Sequence, residues 1–573
     1  MQAGATMDLG GVVVERDLAA PMRDGVVLRA DVYRPSGLGE YPVLMQRTPY
    51  DKRFAQTGVY QHPAWYARQG YIVIVQDVRG RFASDGVFDP YRHEALDGFD
   101  SIAWAASLQG SSGKVGTFGF SYAGVCQLMA AALRPPALAA AAVGMAGSDF
   151  YDGWTYRGGA LQLAFILSWT VQALAPPDAI KAGDREVADR LRAIGRHLPD
   201  AYRRPLASWV RSGELPAYLD RWLEHDTDDG YWKSLNWPAP GFASVPCLHI
   251  GGWYDVFLPG TLANYAVAAS GEISPRTPQH LVIGPWQHVP WASSNGSVHY
   301  GASGNNTADA LQIAWFDRHL KGRPSEPELP PVRYFSMGSN VWHQSATWPP
   351  EGAVGRDLYL RSSGRANSLS GDGALSLAAP AAEPPDIYVF DPAEPVPSVG
   401  GSSCCRADVA PIGAFDQRGV EIRNDVLVFT TAPLEADWEV AGPVALTLFA
   451  ATDGPDTDWT AKLVDVHPDG QAINLCDGII RARYRDSLVE PKPLEPGRTY
   501  EYRIDLGATA NCFRQGHAIR LEVSSSNFPA YDVNDNTGAI ASERDPLRAR
   551  IATQAVFHDS TRPSRLRLFV ADG

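Results

Sequence analysis

The stretch "KVGTFGFSYAGVCQLMAAALRP", residues 114–135, decides how this chain folds. An apolar run climbs to Gly119, passes one serine, Ser121, and continues into an alanine-rich helical pattern. In a strand–turn–helix elbow, a nucleophile sits on a tight, strained turn above the sheet. Such a turn presses backbone segments together, so residues two before and two after the nucleophile must be small. Gly119 and Ala123 meet that need, and Gly124 adds room against the strand. Tyr122 supplies a backbone N–H at the start of the helix. The competing reading is a serine that merely caps the helix.

A serine hydroxyl attacks only when a base takes its proton. In an elbow of this kind the acid and the histidine follow the serine in that order, each just past the end of a strand. "CLHIGGWYDVF" places Asp255 after one apolar run, and "HLVIGPWQH" places His288 after the next. His280 falls at the start of its strand, at the opposite edge of the sheet, and His249 falls inside a strand. His299 and His319 belong to a later loop and helix. Acyl transfer also needs donors aimed at the developing oxyanion. Tyr122 N–H is one candidate. The loop "RTPYDK" offers the Tyr50 hydroxyl as the second, beside Pro49.

The regions around this nucleus divide into three. Up to about residue 145, runs such as "YPVLMQRTPY" and "YIVIVQDVRG" read as strands buried on both faces. The segments "HPAWYARQG" and "HEALDGFDSIAWAASL" between and after them read as helices, so the sheet is expected to be mostly parallel. From about 146 to 240 the pattern changes: "DREVADRLRAIGRHLPDAYRRPL" and "LPAYLDRWLEHD" are helical and charged, with no strand between them, which reads as a helical insertion. Strand character returns at 245–255 and 279–288. After "LPPVRYFSMG" the helices nearly vanish, and short apolar runs alternate with Gly, Pro and Asp turns. That is the pattern of an all-β sandwich or barrel.

The chain has 573 residues, 45% of them hydrophobic and 20% charged, with a net charge of −14. The acidic balance argues against nucleic acid and anionic membrane surfaces as partners. Six cysteines in so long a chain do not read as a disulfide framework. No apolar stretch of about 18 residues stands out as a membrane span. The start, "MQAGATMDLGG", lacks a basic n-region and apolar h-region, so no secretory leader and a cytoplasmic protein are expected.

Taken together, these motifs resemble the bacterial cocaine-esterase-like hydrolases. Those are relatives of X-prolyl dipeptidyl aminopeptidases, glutaryl-cephalosporin acylases and α-amino-acid ester hydrolases. The likeness runs along nearly the whole chain. It is carried by "PMRDGV", "RTPYDK", "QDVRGRFASDG", "GFSYAG", "GGWYDVF", "GPWQH", "WFDRHL", "DPAEPVPSVGG", "AKLVDVHPDG" and "SSSNFPAYDVNDNTG". The resemblance implies an α/β-hydrolase core over 1–145 and 241–345, a helical cap over 146–240 and a C-terminal jelly roll over 346–573. It implies Ser121 as nucleophile, Asp255 and His288 as its partners, and Tyr50 with the Tyr122 N–H at the oxyanion. It places Trp154, Trp169 and Phe257 around the acyl group. Where the cocaine-cleaving members carry a further apolar pair, this chain has Cys404 and Cys405, read as a buried pair of small hydrophobes.

Two weaker patterns carry no chemistry. The loop 532–543 spaces its acidic residues somewhat like a calcium loop, but Thr537 stands where glycine is required. "HEALD" lacks the second histidine of a zinc site. The sequence thus points to a serine hydrolase of carboxylic esters with no cofactor or metal and a small-molecule ester or amide substrate. An acylase, amidase or aminopeptidase of the same fold is the alternative, and a non-catalytic binding protein the reading from another class. A homodimer is left open.

Overall fold

The computed structural model describes residues 6–8, 10–54, 58–236, 241–272, 274, 277–324 and 328–571. The first five residues, on which the reading of the chain's start bears, lie outside these. Strands β1 (Thr6–Asp8), β2 (Val12–Pro21), β3 (Val27–Pro35), β4 (Tyr41–Thr48), β5 (Ile72–Asp77), β6 (Ser111–Phe120) and β7 (Leu138–Gly144) open a large sheet. Helices α1 (Pro63–Arg68), α2 (Glu94–Ala106) and α3 (Tyr122–Ala132) join them. After the helical segment come β10 (Cys247–Tyr254), α11 (Leu258–Ala269), β11 (Gln279–Gln287), α12 (Ala308–Lys321), β14 (Val332–Ser336) and β15 (Val341–Ser345). Two short hairpins stand outside the large sheet, β8 (Tyr156–Arg157) with β9 (Ala160–Leu161) and β12 (Ser294–Asn295) with β13 (Val298–His299).

The sheet order is β1-β2-β3-β5-β4-β6-β7-β10-β11-β14-β15. The run from β5 to β14 is parallel, and the outer strands pair antiparallel. β5, "IVIVQD", is buried at every position. That explains its unbroken apolar character, because helices cover both faces of such a strand.

Between β7 and β10 lie α4 (Leu163–Trp169), α5 (Ala175–Lys181), α6 (Arg185–Arg196), α7 (Leu198–Arg203), α8 (Leu206–Ser212), α9 (Ala217–Glu224) and α10 (Gly230–Leu235). Two features of this segment go beyond the sequence reading. The segment holds a strand pair, β8–β9, closed by Gly158 and Gly159 at φ 53° and 81°. Both turn positions need positive φ, which a Gly-Gly pair supplies without strain. The run Leu163–Lys181 is also long and apolar enough, by composition alone, to cross a membrane. It is a core helix instead, with 72% of that window buried inside the protein.

The C-terminal part is a jelly roll. Its strands are β16 (Ala353–Arg361), β17 (Ala374–Ser376), β18 (Asp386–Phe390), β19 (Leu427–Thr430), β20 (Trp438–Thr452), β21 (Asp458–Val466) and β22 (Ala472–Arg481). They continue with β23 (Tyr500–Phe513), β24 (Ala518–Ser524), β25 (Ala552–Asp559), β26 (Arg562–Pro563) and β27 (Arg565–Ala571). β18 alternates strictly between buried and exposed, as a strand with one wet face must. Leu446, Leu463, Ile504, Leu521 and Val523 fill the interior.

The helical segment and the C-terminal part are stitched by hydrogen bonds from main-chain N–H groups. Ala164 N–H donates to Pro529 O at 2.9 Å, and Leu161 N–H to Asp532 Oδ1 at 2.7 Å. Within 532–543, Asp532 pairs with Arg481 and Arg544, while Asn534 donates to Asp456 and Asp458.

Candidate active site

Ser121 stands between β6 and α3 at φ 60°, ψ −130°. A non-glycine residue rarely takes that conformation, and it persists only where the surroundings enforce it. Here they do. A Cβ on Gly119 would lie 2.8 Å from the Ala123 Cβ, and one on Gly124 would lie 2.9 Å from Gly144 O. The Ser121 N–H donates to Gly144 O at 3.0 Å. The Ser121 side chain makes no capping bond to α3, so the capping explanation of this serine does not hold.

Asp255 and His288 follow the ends of the adjacent parallel strands β10 and β11. His288 Nδ1 lies 2.7 Å from Asp255 Oδ1, with the two side chains 4% and 0% exposed. The other carboxylate oxygen, Oδ2, is buried and takes no hydrogen bond among the described residues. Asp255 also forms a parallel bridge with Ser403 of the C-terminal part. Just before it, Tyr254 OH donates to Asn474 O at 2.9 Å. The imidazole of His288 is walled by Phe120 at 5.5 Å and Phe257 at 5.2 Å between ring centroids.

Tyr50 follows β4, which neighbours β6, and its phenol lies close enough to Ser121 for the serine hydroxyl to influence its protonation. Trp169 Nε1 donates to that hydroxyl at 2.9 Å. Burial pushes the Tyr50 phenol well above its ordinary range, so it stays protonated as a donor. With Trp169 occupying one lone pair, the phenol proton is free to point at the serine.

Trp154, Trp169, Phe257 and Cys404 share one buried apolar cluster. Trp154 stacks on Phe257 at 4.1 Å and meets Trp169 edge-on at 5.8 Å. Cys405 departs from expectation. It is exposed, and a disulfide joins it to Cys404, so the two are not a buried apolar pair.

Sequence reasoning missed the support beneath Tyr122. The Tyr122 hydroxyl donates to Glu94 Oε1 and accepts from Tyr91 N–H, both at 3.0 Å. Glu94 in turn pairs with buried Arg47 at 3.0 Å. The only sequence signal was the pair of charges at positions that pattern as core.

A parallel sheet flanked by helices, with a strained serine at one strand end and a histidine–aspartate pair at two others, defines an α/β-hydrolase. The sequence pattern of the X-Pro dipeptidyl-peptidase (S15) family matches residues 24–290, and that of the X-Pro dipeptidyl-peptidase C-terminal non-catalytic domain matches 327–567. The chain belongs to the cocaine-esterase-like (CocE/NonD) branch of the X-Pro dipeptidyl-peptidase superfamily of serine hydrolases. It is 38% identical to the cocaine esterase of Rhodococcus sp. (strain MB1 Bresler), over 98% of this chain and 99% of that one. Among solved structures it is similar to an aminopeptidase from the marine sediment archaeon Thaumarchaeota archaeon. That match has 28% identity and a TM-score of 0.83, covering 99% of this chain and 97% of that one. An α-amino acid ester hydrolase matches with 27% identity and a TM-score of 0.82, covering 98% and 97%.

Proposed function

We propose that the chain hydrolyses carboxylic esters through an acyl-enzyme on Ser121. The observation that carries this reading is the buried Asp255–His288 pair, its imidazole packed on Phe120 next to a strained, uncapped Ser121, with the Tyr50 phenol near that serine. His288 takes the Ser121 proton as the oxygen attacks the ester carbonyl. Asp255 holds the ring's tautomer and stabilises the imidazolium. The Tyr50 hydroxyl and Tyr122 N–H receive the oxyanion. His288 then returns its proton to the departing alcohol, and water repeats the sequence to release the acid. Likeness to a cocaine esterase, 38% identical over 98% of this chain, supports an ester as substrate. Likeness to an aminopeptidase structure supports the second reading, cleavage of an amide after an N-terminal residue. Rates on a panel of p-nitrophenyl esters and matched amino-acyl and Xaa-Pro anilides separate the two. Faster turnover of an anilide than of the ester of the same acid would overturn the ester reading.

Tyr50→Phe removes only the hydroxyl. The expected result is a fall of roughly 10²–10³ in kcat with little change in KM. A raised KM at unchanged kcat would move Tyr50 from the oxyanion to substrate binding.

The stacked Trp154, Trp169 and Phe257 are proposed as walls for a flat acyl group. An aromatic pair adds about 0.5–1.5 kcal/mol beyond the area it buries. Phe257→Ala is therefore expected to lower kcat/KM roughly 2–12-fold more for a benzoyl than for an acetyl ester of one alcohol. Equal losses would take Phe257 out of the acyl site.

A further inference from the structure

Away from the serine, the β21–β22 hairpin and the start of β24 gather three side chains with metal-binding chemistry. Asp465 and His467 are two residues apart on an extended segment, so their side chains share a face. The β21–β24 register pairs Asp465 with Ile519 and Val466 with Ala518, which carries His517 opposite His467. One ligand atom from each of Asp465, His467 and His517 lies within 4.8 Å of the other two. The imidazole centroids are 4.4 Å apart.

Both histidines sit on fixed backbone. His467 N–H donates to Gln471 O at 2.8 Å, and its carbonyl accepts from Gly470 at 2.9 Å. His517 N–H donates to Arg514 O at 2.9 Å, and its carbonyl accepts from Leu434 at 2.8 Å. Asp465 is 3% exposed and is held from the other side by Asn511 Nδ2 at 3.2 Å. His517 Nδ1 lies 2.8 Å from Asp465 Oδ1, so two of the candidate ligand atoms already converge, and an ion bound there would replace the proton they share. A simple hydrogen-bonded pair accounts for Asp465 and His517. It does not account for a second imidazole laid against the first.

We propose that Asp465, His467 and His517 bind one divalent transition-metal ion of the zinc class. Two imidazole nitrogens and one carboxylate suit zinc, cobalt, nickel or copper, whereas calcium and magnesium require more oxygens. Tetrahedral bonds of about 2.0–2.2 Å set ligand atoms about 3.4 Å apart, within side-chain rotation of the observed cluster. The ion would tie the hairpin turn to the head of β24, so it adds stability rather than turnover.

The test is titration of chelator-treated, tag-free protein with Co²⁺, followed by displacement with Zn²⁺. The expected result is one equivalent bound, with a visible d–d band, no thiolate charge-transfer band and a higher Tm with Zn²⁺. His467→Ala, in an exposed turn, and His517→Ala should each weaken binding at least about tenfold. Both should leave p-nitrophenyl ester turnover unchanged. No band, a thiolate band, or unchanged affinity in the folded His467→Ala protein would overturn the site.

Discussion

Ser121→Ala is expected to cut kcat on a p-nitrophenyl ester by about 10⁶ while leaving the fold and Tm unchanged. The size of the loss follows from the proposed mechanism, in which Ser121, His288 and Asp255 act as a unit. Without Oγ, the His288–Asp255 pair has no proton to move, and the oxyanion donors act on water attack alone. The expectation of an unchanged fold rests on geometry. Ser121 makes no cap bond to α3, so the helix loses nothing. The φ of 60° is imposed by neighbours, and alanine bears the same strain as serine there. Single-turnover kinetics beside circular dichroism checks both halves. A folded variant with near-normal turnover would remove Ser121 from the chemistry.

Asp255→Asn is expected to lower kcat by about 10⁴ at neutral pH. An amide at this position has two ways to sit. If its NH₂ faces His288 Nδ1, the ring must carry its proton on the other nitrogen, where it blocks removal of the Ser121 proton. If its oxygen faces Nδ1, the tautomer is kept but no negative charge balances the imidazolium. The carboxylate is 1% exposed and its Oδ2 has no hydrogen bond among the described residues, so neither orientation is rescued by a neighbouring acceptor. The measurement is kcat against pH for wild type and variant. A loss below tenfold across the profile would assign Asp255 a merely structural place.

The elbow and its partners were legible because each depends on short-range rules. Small residues flank Ser121 because backbone crowding demands them, and the lack of room for a side chain at Gly119 and Gly124 agrees. Asp255 and His288 were found by counting from the ends of apolar runs, which the sheet turned into neighbouring strand ends. What stayed hidden depends on distance in three dimensions. Arg47 and Glu94 are 47 positions apart, and nothing local says that they meet under Tyr122. The length of the helix through 163–181 is hard to see in the sequence, because adjacent prolines such as Pro176 and Pro177 ordinarily end a helix. A π-helical turn at Thr170–Leu174 lets the run continue into α5, with prolines at its first turn. The β8–β9 hairpin escaped because two-residue strands show no alternation, although Gly158-Gly159 was a usable signal. Cys404 and Cys405 were judged by chemical type alone, and type does not report which of two neighbours faces water.

The bridge between Asp255 and Ser403, with the bond from Tyr254 to Asn474, has a consequence for how such chains diversify. Asp255, the proposed acid of the hydrolase half, is bridged to the half that matches a non-catalytic domain. Chimeras that exchange the C-terminal half between relatives would thus replace one side of the acid's seat. On the proposed mechanism, a recombinant that keeps its activity has to carry the segments around 403 and 474 together with the loop around 255.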